Sequence, residues 1–340
     1  MPFRYYLGSP GITIRRHLIE DDASGQTLVI GMVDIKIQQY ALGGATIQVA
    51  AVVYPASLGA VDPRYGMAGV FLFRRLAEHY PLNFMLGMGN PGESPAARLG
   101  RAMGWTLRPI PYLFMPMRLA PLLQRSLGRR PRLARAVQRA SRLGLFRPAD
   151  ALLRAGGGSW PSRGDGIMRI RRVAEFDASL DAFWRDYARE VAFSLVRDAA
   201  QLNAMFPGRV DAFEKLTIQI GDRVVGYAIL LVPPGTGRFG DANVATLVEL
   251  SVLCDHMPGA VRTLCRYLHG KTLDAVITNV SHAHTVSCLK EAGFRTRRTS
   301  MFLAASKPLE ALFSAHGITT GDMVITRGDG DGPVGLGVNL

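Results

Sequence analysis

The sequence predicts an α/β chain, of the mixed α+β kind, made of two similar units. Two observations carry that reading. The order strand, strand, helix, strand, helix, strand can be followed twice along the chain. Between the two runs lie an arginine-rich helical stretch and then "RAGGGSWPSRGDG" (154–166), a joint rich in Gly and Ser. At 340 residues, 48% of them hydrophobic, the chain has enough apolar material for two cores.

In the first unit "TLVIGMVDIKIQQYAL" (27–42) reads as a strand with a bend, and "GGATIQVAAVVYP" (43–55) as a second strand ended by Pro55. "AGVFLFRRLAEHYP" (68–81) sets Val70, Phe73, Leu76 and Ala77 on one helical face and stops at Pro81. "LNFMLGMG" (82–89) is a short buried strand. "ESPAARLGRAMGW" (93–105) is a helix with Ser94 as cap, Pro95 in its first turn and Gly104 at its end. "LFMPMRL" reads as an edge strand, because Pro116 has no N–H for a central ladder.

The second unit follows the same order. A helical stretch (176–205) leads to a hairpin over 215–233 that turns at Gly221-Asp222. Then come "NVATLVELSVLCD" as a strand, "PGAVRTLCRYLHG" as a helix and "LDAVITNVS" as a strand. "TVSCLKEAGF" is a helix ending at Gly293, and "RRTSMFLAAS" a last strand. The tail "RGDGDGPVGLGVNL" is too Gly-rich to pack and reads as a loose end; Asp329 and Asp331 lack the other ligands of a calcium loop. The expected organisation is therefore a first unit over 1–118, an Arg-rich linker over 119–166, a second unit over 167–318 and a tail over 319–340.

The net charge is +13, and its placement is uneven. Between Arg118 and Arg154 there are ten arginines and one acid, Asp150. Such a stretch is either a solvated helical linker or a patch for something acidic: an anionic membrane surface, an acidic carrier protein or nucleic acid. Nucleic acid is the least favoured, because no nucleic-acid module accompanies the charge. No apolar run approaches the roughly 18 residues of a membrane helix. "MPFRYYLGSPG" lacks the pattern of a signal peptide, and Cys254, Cys265 and Cys288 make no disulfide framework. These features predict a cytoplasmic protein, with peripheral membrane contact if the patch is used.

Chemistry concentrates in "AVDPRYGMAG" (60–69), where Arg64, Tyr65, Gly66, Met67, Ala68 and Gly69 lead into a helix. The first N–H groups of a helix have no partner within it and carry part of its dipole, so a small-residue loop there can cradle a phosphate. A plain tight turn is the competing reading. Glu249, inside the apolar "TLVELSVL", is a candidate base, or a carboxylate paired with an arginine. Tyr54 is the corresponding candidate in the first unit, or a packed strand-end tyrosine. The spacings of Cys254, His256, His282, His284 and Cys288 fit no zinc pattern, so no metal is expected.

Taken together, each unit resembles the GNAT (Gcn5-related N-acetyltransferase) fold, and the pair resembles the FemAB-like and related tandem-GNAT proteins. In that family an Arg/Gln-x-x-Gly-x-Gly/Ala loop opens a helix and holds the CoA pyrophosphate. Here Arg64 and Gly69 stand at its ends and Met67 at its middle glycine. "GNPGESPAARLGRAMGW", with Asn90 and Ser94, resembles the family's second signature, "GDRVVGYAILLV" its paired strands, and "VRDAAQLN" a run of the tandem subgroup.

The resemblance implies two domains, each a mixed twisted sheet flanked by helices. It also implies an N-acyltransferase that uses acetyl-CoA or another acyl-CoA, without a metal, on an amine of a small metabolite, amino acid or amino sugar. Family members can place a base on the strand of Glu249. The tyrosine the family often uses as acid is replaced by Gly100 and Leu289. The second unit has "CDHMPGAVRTL" at the cradle position, so one donor site is expected, in the first unit. That unit begins without the elements that wall the family's acceptor site; either the chain is truncated or the second unit supplies the wall. A FemAB-type aminoacyl transferase and an inactive scaffold at a membrane surface are the alternatives.

Overall fold

The structure is a computed structural model and describes residues 12–21, 27–88, 94–127, 130–156, 168–207, 213–232 and 243–330. The first part contains β1 (Thr13–Asp21), β2 (Leu28–Leu42), β3 (Ala45–Ser57), α1 (Ala68–His79), β4 (Asn83–Met88), α2 (Pro95–Ala102), β5 (Thr106–Pro109) and β6 (Tyr112–Pro116). Helices α3 (Leu119–Ser126), α4 (Pro131–Arg142) and α5 (Arg147–Gly156) follow. The rest begins with β7 (Met168–Val173), α6 (Ala178–Tyr187), β8 (Phe193–Leu195), α7 (Ala199–Met205), β9 (Phe213–Ile220) and β10 (Arg223–Leu231). It continues with β11 (Val244–Val252), α8 (Met257–His269), β12 (Ala275–Asn279), α9 (Ala283–Glu291), β13 (Arg295–Arg297), β14 (Met301–Ala305), α10 (Lys307–Ala315) and β15 (Met323–Val324).

These strands form two mixed sheets, one in the order β15-β8-β2-β3-β4-β14-β5 with β1 also on β2, the other β13-β6-β12-β11-β10-β9-β7. The two halves exchange strands. β14 lies between β4 and β5, with Leu303 opposite both Leu86 and Arg108. β6 lies between β12 and β13, with Phe114 opposite both Ile277 and Arg295. The edge position expected for "LFMPMRL" is therefore corrected to an interior one. Pro116 is tolerated because it pairs with Ala275 on one side, while β13 reaches only Tyr112 to Phe114 on the other. The second half also extends the first sheet: β8 pairs with β2 (Leu42 opposite Phe193), and β15 pairs with β8.

Several local expectations shift. β3 continues past Pro55 to Ser57. The buried face of α1 is Ala68, Leu72, Phe73 and Leu76, a face rotated from the one expected, with Val70 and Ala77 at its margins. The helical stretch at 176–205 is two helices separated by β8. The expected loose tail is packed as far as Gly330: β15 joins the first sheet and Asp329 is fully buried.

One core runs through both halves, from Tyr40 and Phe84 to Phe193, Phe313, Leu250 and Leu264. A second lies under α1 and α2, where Val33, Ile35 and Ile37 of β2 meet Leu72, Phe73 and Trp105. Alternation along β2 sends Lys36, Gln38 and Tyr40 to the opposite face of that sheet. Among the described residues no helix is long and apolar enough to cross a membrane.

Candidate functional site

The site begins where two parallel strands part. β3 and β4 pair only over Ala50–Val52 and Asn83–Met85. Just beyond, the β2–β3 register slips, so that Tyr54 and Pro55 together oppose Val33. This is a β-bulge, and it re-aims the side chains that follow. Tyr54 has φ of +48°, the sole non-glycine in that region among the described residues. Pro55 sits where the ladder is already interrupted and its missing N–H costs little.

After β3 the chain makes two short 3₁₀ turns, Leu58–Ala60 and Pro63–Tyr65. Ser57 Oγ accepts the Gly59 N–H at 3.1 Å, and Asp62 Oδ1 accepts the Arg64 N–H at 3.0 Å. Gly59 has to be a glycine here: a Cβ would run into the Tyr65 carbonyl oxygen, so its absence lets the two turns stack. Met67 then precedes α1 without any side-chain cap on the helix. The first-turn N–H groups are left for another acceptor.

A cavity of about 680 Å³ opens at this point. Gly66, Gly69 and Val70 line one side, Pro55, Ala56 and Ser57 another, and Ser94, Pro95, Ala96 and Leu99 of the α2 start a third. Ser94 caps α2 as expected, its Oγ accepting the Ala97 N–H at 3.0 Å. Two helix N-termini thus border one cavity. Of the expected cradle residues, Gly66, Gly69 and Ser94 line it. Arg64 turns back on Asp62, with Nη2 to Oδ2 at 2.7 Å, and its side chain is 79% exposed. The Arg64 guanidinium also lies 5.6 Å from the Tyr65 ring centre. Met67 is exposed and Ala68 buried. Asn90 lies outside the described residues. Gly59 and Ser57 were not singled out from the sequence; "SLGA", a cap residue before a glycine, was the available signal.

The second half has the same divergence, filled differently. β11 and β12 pair in parallel only from Val244 to Leu247, and a register shift next to Glu249 marks the matching bulge. Counted from the last parallel pair, Glu249 occupies the place of Tyr54. The segment 325–329 enters this divergence. Thr326 bridges to Val280, and the Ser281 N–H donates to the Ile325 carbonyl at 3.0 Å.

Both Glu249 oxygens are engaged there: Arg197 Nε donates to Oε2 at 3.1 Å and Thr326 Oγ1 to Oε1 at 2.6 Å. Arg197 Nη2 also reaches both oxygens of Asp329, at 2.9 and 2.8 Å, and Arg197, Glu249 and Asp329 are at most 1% exposed. Burial raises the Glu249 pKa, and Arg197 opposes that shift. Burial alone would lower the Arg197 pKa, but Asp329 and Glu249 outweigh it and hold the guanidinium charged. This geometry is that of a closed structural ion cluster rather than of a base facing an amine. Arg197 stood in the quoted "VRDAAQLN" without being singled out.

His284 Nε2 lies 3.2 Å from the Cys254 carbonyl oxygen and 3.9 Å from Cys288 Sγ. Burial, with Glu190 beside it, pushes the Cys254 thiol up to about 11, so it stays protonated at neutral pH. Among the described residues no group of three or more His, Cys, Asp or Glu could hold a metal ion.

No family model and no curated protein matches the sequence. Solved structures do. A probable N-acyltransferase of Enterococcus faecalis V583 aligns over 92% of this chain and 66% of its own, at 12% identity and TM-score 0.53. A GCN5-related N-acetyltransferase of Anabaena variabilis ATCC 29413 aligns over 81% of this chain and 59% of its own, at 12% identity and TM-score 0.50. The chain spans less than two thirds of either neighbour's length. The fold is shared with these structures, here as two mixed sheets flanked by helices.

Proposed function

We propose that the chain is an acyl-CoA-dependent N-acyltransferase with one donor site, in its first half, and that its acceptor is an amine of a small metabolite, amino acid or amino sugar. The observation that carries this reading is the cavity at the β3–β4 divergence, bordered by two helix N-termini and floored by small residues. The residues fit a CoA thioester. The N–H groups of Gly69 and its neighbours suit a pyrophosphate, since the helix dipole adds to their pull and glycine leaves them uncovered. The apolar lining from Pro55, Ala56 and Leu99 suits the pantetheine arm. Arg64, now on Asp62, is near enough in sequence to change partner when a doubly charged phosphate arrives.

The CoA thioester supplies an activated acyl carbon when bound. Backbone N–H groups of β3 next to the bulge are the candidates for polarising its carbonyl. Tyr54, on the same bulge, is the candidate for handling a proton. Glu249 has no such role in this reading, because its oxygens are committed to Arg197 and Thr326. The second half contributes strands to the first sheet and closes its own divergence with residues 325–329, which supports a single donor site.

Calorimetric titration with CoA tests the reading. The wild type should bind one equivalent. Gly69→Glu, which puts a side chain and a negative charge in the first turn of α1, should abolish binding with the fold retained. Arg64→Ala should weaken binding by no more than about 1.5–3 kcal/mol, the scale of one charged hydrogen bond. If Gly69→Glu binds like the wild type, "AVDPRYGMAG" is only a turn. Thiol release from acetyl-CoA against a panel of amines then tests the transfer itself.

A further inference from the structure

We propose that the outer face of the helical layer α3–α5 docks the protein on an anionic lipid surface. This layer is anchored rather than loose. Leu122 of α3 packs against Val244, Ala275 and Ile277 on the second sheet. Arg118, at the entry to α3, pairs with Asp274 at 3.2 Å. The acid of this stretch, Asp150 on α5, is half-buried and engaged within the layer: its Oδ1 accepts the Leu119 N–H at the start of α3 at 2.8 Å. Leu122 and Arg118 thereby tie the layer to the body of the protein, while its one acid is occupied by the α3 start.

What it presents outward is cationic and apolar together. Arg130, Arg132, Arg135, Arg139, Arg142 and Arg147 are all exposed. Among them Leu143 is 76% exposed, Leu145 67% and Leu152 73%. Large apolar side chains left in water at this density mark an interaction surface rather than a solvated helix. A lipid interface matches both parts. Its phosphates attract arginine, and its acyl boundary takes up leucine. A nucleic acid would use the charge but has no place for the leucines, and the layer's one aromatic residue, Phe146, is half-buried rather than laid open for base stacking.

The test is cosedimentation of the full chain with vesicles of phosphatidylglycerol and phosphatidylcholine in equal parts, and with phosphatidylcholine alone. Binding is expected to the anionic vesicles only, and to fall by about tenfold or more as salt is raised. The variant Leu143→Ser/Leu145→Ser/Leu152→Ser alters exposed positions and should keep the circular dichroism spectrum and CoA affinity of the wild type. Its vesicle binding should drop by about tenfold or more, since each lost leucine removes several buried CH₂ groups. No binding to anionic vesicles at low salt overturns the proposal, as does equal binding to phosphatidylcholine alone. It is also overturned if the leucine variant binds vesicles as the wild type does, or if the wild type binds single- or double-stranded DNA more tightly than vesicles. Because CoA affinity is measured alongside, failure here is separable from failure of the donor site.

Discussion

Arg197 and Asp329, 132 residues apart in the chain, meet in the interior with one guanidinium nitrogen 2.8 and 2.9 Å from the two carboxylate oxygens. Glu249 takes the same arginine from its other side at 3.1 Å. A charge buried this completely is tolerated only with partners, and removing one leaves the others uncompensated. Asp329→Ala should therefore destabilise the protein by about 3–5 kcal/mol, read as a lower urea midpoint. Glu249→Gln should also lower that midpoint while leaving CoA affinity unchanged. A Glu249→Gln protein of wild-type stability with lost turnover would return Glu249 to the role of base.

The proposed cradle depends on a glycine outside its motif. Gly59→Ala places a methyl group against the Tyr65 carbonyl oxygen, and backbone must move to relieve it. The movement falls on the 63–66 turn that feeds the α1 start. CoA affinity should drop by about tenfold or more, while the loss of stability stays within about 1–3 kcal/mol, the range for local overpacking. Titration calorimetry and urea unfolding on one preparation separate the two effects.

His282 predicts a pH effect of definite sign. Burial, and then the neighbouring His284, lower its pKa from the ordinary 6.5, and its Nδ1 lies 3.0 Å from Thr285 Oγ1. In the unfolded chain the imidazole takes up a proton more readily than in the folded one. The stability from keeping it neutral is thus complete above the unfolded pKa of about 6.5 and is lost as pH falls from there toward the depressed folded value. Urea midpoints should decline across that window, and His282→Gln should flatten the decline. An identical pH dependence in the variant would mean that another group carries it.

Element order was legible because each element has a local cause. Ser94 with Pro95 marks the α2 start, Gly104 and Gly293 close helices at positive φ, and Gly221-Asp222 turns a hairpin. Partnership was not legible, because it depends on which strand edges meet. Nothing within "LFMPMRL" says that it enters a sheet built mostly from residues beyond 167, and the Pro116 rule pointed to an edge. At the site, small residues before a helix announced Gly66 and Gly69. The fate of Glu249 could not be read, since its partners Arg197 and Thr326 come from distant segments. A glycine-rich tail gives no periodic pattern to read, yet Gly328 is needed there: a Cβ on it would strike Glu249.

Strand exchange makes the first half depend on residues near the end of the chain. Leu303 of β14 is fully buried between β4 and β5, where its side chain joins the core shared by both halves. Leu303→Ala removes packing from the sheet that carries the proposed donor cavity, at a cost of about 2–5 kcal/mol for a leucine truncated in a core. β4 is one of the two strands whose parting forms that cavity, so loosening β14 should also weaken CoA binding. Leu250→Ala, at a buried position on β11 of the other sheet, is the control: a similar loss of stability with CoA affinity retained. Hydrogen exchange should then show β4 and β5 opening more readily in Leu303→Ala than in Leu250→Ala. If the two variants affect CoA affinity alike, β14 supports the protein as a whole and not the donor site in particular.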